Sequence, residues 1–172
     1  YTATGVVVLD KDSVVLACAA AKLPKDGNDI TRALAMRNEV LEMIASCGTG
    51  SDAPHIAIEN YSLNSRFGVA MAVTLGTVLR LGIIDKGWTY VEPVPNAVKA
   101  FALMPKGKAA EKRAKKQKPV AEVEKLWGFK HKSKDVIDAY VLAQIARAHG
   151  GAQPIGHLHE RQIDVLAALK SS

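Results

Sequence analysis

The apolar positions of this chain alternate with period two near its start and settle into helical spacing further on. Thr4 to Asp10 (TGVVVLD) and Ser13 to Ala20 (SVVLACAA) are β-rich runs joined by Lys11-Asp12, which predicts a hairpin although the turn lacks Asn-Gly or Asp-Gly. Lys25 to Asp29 is a loop with Asp29 as the expected N-cap. A helix then runs to about Cys47, with Ile30, Leu34, Leu41 and Ile44 on its apolar side and Gly48 as its stop. His55 to Glu59 reads as a short buried strand. Ser65 to about Gly82 is a second helix whose Gly68, Ala72 and Gly76 make one strip of small side chains, suited to close approach of the sheet or of a partner subunit.

Trp88 to Val94 predicts a further strand, ended by Pro93 and Pro95, and a short helix follows over Asn96 to Leu103. Pro119 suits the first position of a helix reaching Trp127. Ser133 is placed to cap another helix, extending to about Ala148, with Val136, Ile137, Tyr140, Val141 and Ile145 available to pack. His149-Gly150-Gly151 ends it, and His159 to Leu169 forms a terminal brace. Strands first, then strands alternating with helices, predict an α/β fold: a mixed sheet with an antiparallel hairpin, flanked by helices.

The 172 residues are 48% hydrophobic, enough for one core, and neither a repeat nor a long linker divides them, so residues 1–172 are read as a single domain. With aromatics at 5%, that core must be built mainly from Val, Ile, Leu and Ala. Cys18 and Cys47 have no metal-type spacing and are expected to be buried, reduced thiols of a cytoplasmic protein. The longest apolar run, Phe67 to Leu79, lies between Arg66 and Arg80 and is too short to cross a bilayer, so no membrane partner is expected.

Charge changes the picture. Between residues 106 and 118 stand Lys106, Lys108, Lys112, Arg113, Lys115, Lys116 and Lys118 against a single acid, Glu111. Elsewhere basic and acidic residues balance, so the net charge of +6 resides in this segment. Such concentration points to contact with a polyanion.

The carboxylates supply the candidate chemistry. Asp135 and Asp138 are three apart at the start of a helix, on a face that also carries Ala139, Val141 and Leu142. That setting aims at least one carboxylate toward the interior. Glu59 closes the apolar run His55 to Glu59. Carboxylates near a core are unfavourable unless a cation binds them, and a divalent metal is the simplest such cation. His149, His157 and His159 have no matched zinc spacing and read as surface residues, whereas His131, just before the acidic helix, lies where it can approach the site.

Taken in order, these motifs resemble the RuvC-type Holliday-junction resolvases of the RNase H-like nuclease superfamily. The resemblance rests on Thr4-Gly5 opening an apolar strand, Ala57-Ile58-Glu59-Asn60 at a strand end, Pro95-Asn96-Ala97-Val98-Lys99, Lys118-Pro119-Val120 at a helix start, and Asp135-Val136-Ile137-Asp138-Ala139-Tyr140. It covers all but the tail of the chain, and the lysine-rich insert marks a divergent branch. The family's first catalytic Asp falls shortly before Tyr1, on what would be the central strand. The resemblance therefore implies an upstream apolar strand bearing an Asp. Asp10 is the alternative within this sequence, although it sits at the hairpin tip.

What the resemblance implies is hydrolysis of phosphodiester bonds in four-way DNA junctions with two Mg²⁺ or Mn²⁺ ions. Glu59, Asp135 and Asp138 would form the metal shell with the upstream Asp, with Asp138 as a direct ligand. Lys118 would be the catalytic cation, with Lys116 or Lys112 in its place under a different register of the basic loop. Lys99, Lys106, Lys108, Lys112, Arg113, Lys115 and Lys116 would contact DNA. A homodimer suits a two-fold junction, with the Ser65 to Gly82 helix as the expected interface. The alternatives are a broader branched-DNA or structured-RNA nuclease of the same fold, and an inactive nucleic-acid-binding module.

Overall fold

The computed structural model describes residues 3–48, 53–60, 69–104, 119–152 and 158–169. Among these the chain forms four strands and six helices in a mixed α/β arrangement. β1 (Ala3–Leu9) and β2 (Val15–Lys22) pair antiparallel from Ala3↔Lys22 to Leu9↔Val15, with an irregularity at Val8/Leu9. The turn closes without Asn-Gly because Asp10 supplies the missing acceptor: its Oδ1 takes the backbone N–H groups of Asp12 and Val14, each at 2.8 Å. Ser13 completes the reversal in the left-handed region, at φ 66°.

α1 (Asp29–Ser46) begins one residue earlier than its predicted cap. Asn28 holds the N-cap position, and its side chain accepts from the Thr31 N–H at 3.0 Å. Ala33, Met36, Val40 and Leu41 face inward, whereas Ile30, expected on the apolar side, is 62% exposed. The slim Ala33 is favoured where α1 closes on β2 and on α2 (Val69–Asp85). There Val6, Ala21, Leu23, Met36, Leu75 and Leu79 form a shared core.

β3 (Ile56–Ala57) and β4 (Tyr90–Val91) form a second, parallel pair, shorter than either predicted strand. Their pairing continues beyond the formal strands. The Ile58 N–H donates to the Val91 carbonyl and the Asn60 N–H to the Pro93 carbonyl, each at 3.0 Å. Glu59 therefore lies on an extended backbone held on both sides of it.

α3 (Pro95–Leu103), α4 (Val120–Trp127), α5 (Lys134–His149) and α6 (Glu160–Ala167) surround the other core. Pro119 stands at the N-cap of α4 rather than inside it. The residues expected to pack from α5, namely Val136, Ile137, Tyr140, Val141 and Ile145, are all buried. They meet Val98, Phe101, Val123 and Val165, and the Phe129 and Tyr140 rings stack with centroids 4.0 Å apart. α6 is tied to this core by Gln162, whose side chain donates to the Phe101 carbonyl at 3.1 Å while also closing a capping box with His159. Ser133 occupies the N-cap of α5 without a side-chain capping bond; its own N–H donates to His131 Nδ1 at 3.0 Å.

Both cysteines are free, as expected, but neither is buried: Cys18 is exposed and Cys47 half-buried. Alternation along β2 accounts for Cys18, which stands on the strand's outer face.

Candidate functional site

A cavity of about 1160 Å³ lies between the two strand pairs. Its walls are β1, the stretch from Ala53 to Asn60, and parts of α1, α2 and α5. The small residues Ala72 and Gly76 of α2 line it, while Gly68 lies outside the described residues.

Glu59, Asp135 and Asp138 all line this cavity. They arrive by different routes. Glu59 is positioned by the Ile58 and Asn60 hydrogen bonds to the β4 side, and the two aspartates by the first turns of α5. α5 in turn rests on β1 at Gly5, whose missing side chain leaves room for the Asp135 carbonyl. The inward aim expected for a carboxylate does not hold, Asp138 included: all three residues are solvent-exposed. The reason is the phase of α5, which spends its buried face on Val136, Ile137, Tyr140 and Val141 and leaves the aspartates at the cavity mouth.

The electrostatics join residues from three elements. Burial of the carboxyl group raises the Glu59 pKa above its ordinary value, the charge of nearby Asp138 raises it further, and Lys99 of α3 opposes both. Glu59 still reaches solvent, which limits the effect. Glu59, Asp138 and Lys99, far apart in the chain, thus form one interacting cluster, and Asp135 stands a turn away along α5. Lys118 lies outside the described residues, as do Lys106, Lys108, Lys112, Arg113, Lys115 and Lys116.

Arg80 was not singled out by the sequence pattern except as a bracket to an apolar run. Its guanidinium is largely buried and makes a charge-assisted bond from Nε to Glu92 Oε1 at 2.5 Å. It also donates to the Gly76 carbonyl at 2.9 Å and, at 3.4 Å, to the Glu59 carbonyl. It therefore links α2 to the strand ends that carry Glu59. A lone arginine in an otherwise apolar helix was the available signal.

A second unanticipated network fixes the hairpin. Arg147 donates to the Lys11 carbonyl at 2.6 Å and to Gln144 Oε1 at 3.3 Å; Ser13 donates to the same Gln144 oxygen. Gln144 donates in turn to the Tyr140 hydroxyl, whose pKa is raised mainly by burial. His131 is engaged by the Ser133 amide and stacks on Phe129, which gives it a structural part at the start of α5.

Oxygen donors fit hard divalent ions such as Mg²⁺ or Mn²⁺, and two carboxylates whose charges oppose each other are what such an ion relieves. Among the described residues, however, no three Asp, Glu, His or Cys side chains are gathered closely enough to hold a metal by themselves. The fit is one of donor chemistry, with Glu59 and Asp138 as its nucleus. Among the described residues no helix is long and apolar enough to cross a membrane. The chain matches no family model, and neither curated proteins nor solved structures give a match.

Proposed function

We propose that this chain is a metal-dependent endonuclease acting on branched DNA, four-way junctions in particular, through an RNase H-like site. The observation that carries this reading is the Glu59, Asp138 and Lys99 cluster: two carboxylates and a lysine from distant segments, interacting at the mouth of one cavity. The motif order that resembles the RuvC-type resolvases supports it, as does the basic segment between α3 and α4.

In this reading Glu59, Asp138 and Asp135 hold the metal ions, together with an Asp from an upstream strand. Bound divalent ions supply an activated water and stabilisation of the leaving oxygen. Lys99 orients the substrate by contact with a backbone phosphate, and Lys118 offsets negative charge near the bond to be cut. The remaining basic side chains of residues 106–116 track the DNA backbone. Arg80 contributes by holding the Glu59 backbone against β4. A homodimer would present two such sites to the two symmetric strands of a junction.

The test is cleavage of a synthetic four-way junction in Mg²⁺ and in Mn²⁺ by the native polypeptide, beside a linear duplex and a Glu59→Gln variant. Paired symmetric nicks on the junction alone, abolished in the variant, are expected. Binding without cutting in either metal would replace this reading with that of an inactive nucleic-acid-binding module. Preferential cutting of structured RNA would reassign the substrate. Binding should weaken with salt, with a log–log slope of at most roughly −6 per subunit if each of the seven basic side chains meets one phosphate.

A further inference from the structure

We infer that the cavity between β1 and β3 is a slot for one extended, mainly apolar strand, which pairs with β1 on one side and β3 on the other. The strand belongs to the same polypeptide, on the amino-terminal side of Ala3. This inference needs neither the carboxylates nor DNA, and it stands or falls apart from the nuclease reading.

Three observations carry it. First, the cavity is too large for a native void. Protein interiors hold few spaces larger than a water molecule, and about 1160 Å³ exceeds the roughly 300–1000 Å³ of ordinary small-molecule pockets.

Second, its opposing walls are strand edges. Among the described residues β1 pairs with β2 alone and β3 with β4 alone, and the cavity is lined by the whole of β1 and the whole of β3. Successive residues of a strand direct their amides to opposite edges. With the Ile58 and Asn60 amides bonded to the β4 side, those of Ala57 and Glu59 are directed to the other edge, toward the cavity. Backbone groups at a buried edge require partners, and an extended chain supplies them to both edges together.

Third, the remaining walls are apolar and include Val40 and Ile44 of α1 and Leu75, Leu79 and Ile83 of α2, with Ala139 and Leu142 from α5. A strand buried on both faces is a run of apolar residues, which these walls would cover.

Topology selects the source. The Leu9 end of β1 is committed to the turn into β2, so a tethered strand can fold back along the open edge only from the Ala3 end. A short reversal there gives an antiparallel neighbour to β1, and tethering avoids the translational loss that a free peptide would suffer.

The experiment compares the native polypeptide, including the residues encoded before Tyr1, with the 172-residue chain. Hydrogen exchange at the Ala57 and Glu59 amides, and at alternate amides of β1, should be at least about a hundredfold slower in the longer polypeptide. Equal rates in the two chains would overturn the inference. So would protection that grows with concentration in the 172-residue chain, since a second copy would then fill the slot. So would an intact gene with no strand-forming residues before Tyr1.

Cysteine cross-linking within the longer polypeptide serves if the shorter chain does not fold. With Cys18 and Cys47 replaced by Ser, one upstream segment should form disulfides both with Ala57→Cys and, separately, with Val7→Cys. Cross-links to only one wall, to neither, or between molecules would contradict it.

Discussion

Gly5 of β1 and Asp135 of α5 meet backbone to backbone, so closely that a methyl group on Gly5 would overlap the Asp135 carbonyl. The contact fixes where α5 begins over the hairpin. It thereby sets the position of Asp135 and, one turn on, of Asp138.

Gly5→Ala should therefore destabilise the fold by about 1–3 kcal/mol or more, since neither partner is a flexible side-chain end that can swing away. Thermal unfolding would register the loss. Because the helix start must move, any metal affinity of the carboxylates should fall by more than stability alone requires. An unchanged melting temperature would mean that β1 and α5 are less tightly joined than described.

Glu59 gives the site a pH signature. Its folded-state pKa is raised above the ordinary 4.5, chiefly by burial and then by Asp138. The folded protein thus binds this proton more tightly than the unfolded chain does. The associated stability is fully present below the unfolded value and is lost as pH rises through the folded one. Stability of the native chain should therefore decline modestly across that interval, and Glu59→Gln should flatten the decline. Added Mg²⁺ or Mn²⁺ should stabilise the native protein more as pH rises, because ions bind the deprotonated carboxylate. Melting curves from pH 4 to 8, with and without metal, would check both signs.

Arg80→Met should remove about 1–3 kcal/mol of stability, because Glu92 is left partly buried without its guanidinium partner. Glu92→Gln alone should cost less, since an amide still accepts the bond. A double-mutant cycle between the two positions should show coupling, which would be absent if the pair were merely adjacent.

The hairpin turn distinguishes shape from charge. Asp10→Asn keeps an Oδ1 acceptor for the Asp12 and Val14 amides and should be nearly neutral. Asp10→Ala loses both bonds and should cost about 1 kcal/mol. Urea unfolding of the two variants would separate these outcomes, and equal losses would assign the effect to charge.

Much of this arrangement was legible because local rules and tertiary packing agree. The hairpin, the order of the described helices and the inward row of α5 all follow period and punctuation. The face of α1 was not legible. Ile30 satisfies helical spacing, yet the approach of α2 favours the smaller Ala33, a choice set by a neighbour distant in sequence. The exposure of the aspartates escaped for a related reason: an Asp beside apolar residues can stand at the edge of a buried stripe as well as within it. Arg80 and Arg147 were missed because a buried arginine is recognised by its acceptors, and those are a carboxylate on another strand end and a backbone carbonyl in a turn. The convergence of Glu59 with Asp138 and Lys99 was expected from motif order and not from any local pattern.

The phase of α5 divides labour between two rows of side chains. Val136, Ile137, Tyr140 and Val141 belong to the core, whereas Asp135 and Asp138 stand outside it. Folding and chemistry are therefore exposed to natural selection through different residues of the same helix. A lineage could exchange its aspartates and keep the scaffold intact, so descendants of this architecture can shed or alter an activity in single substitutions while inheriting the fold unchanged.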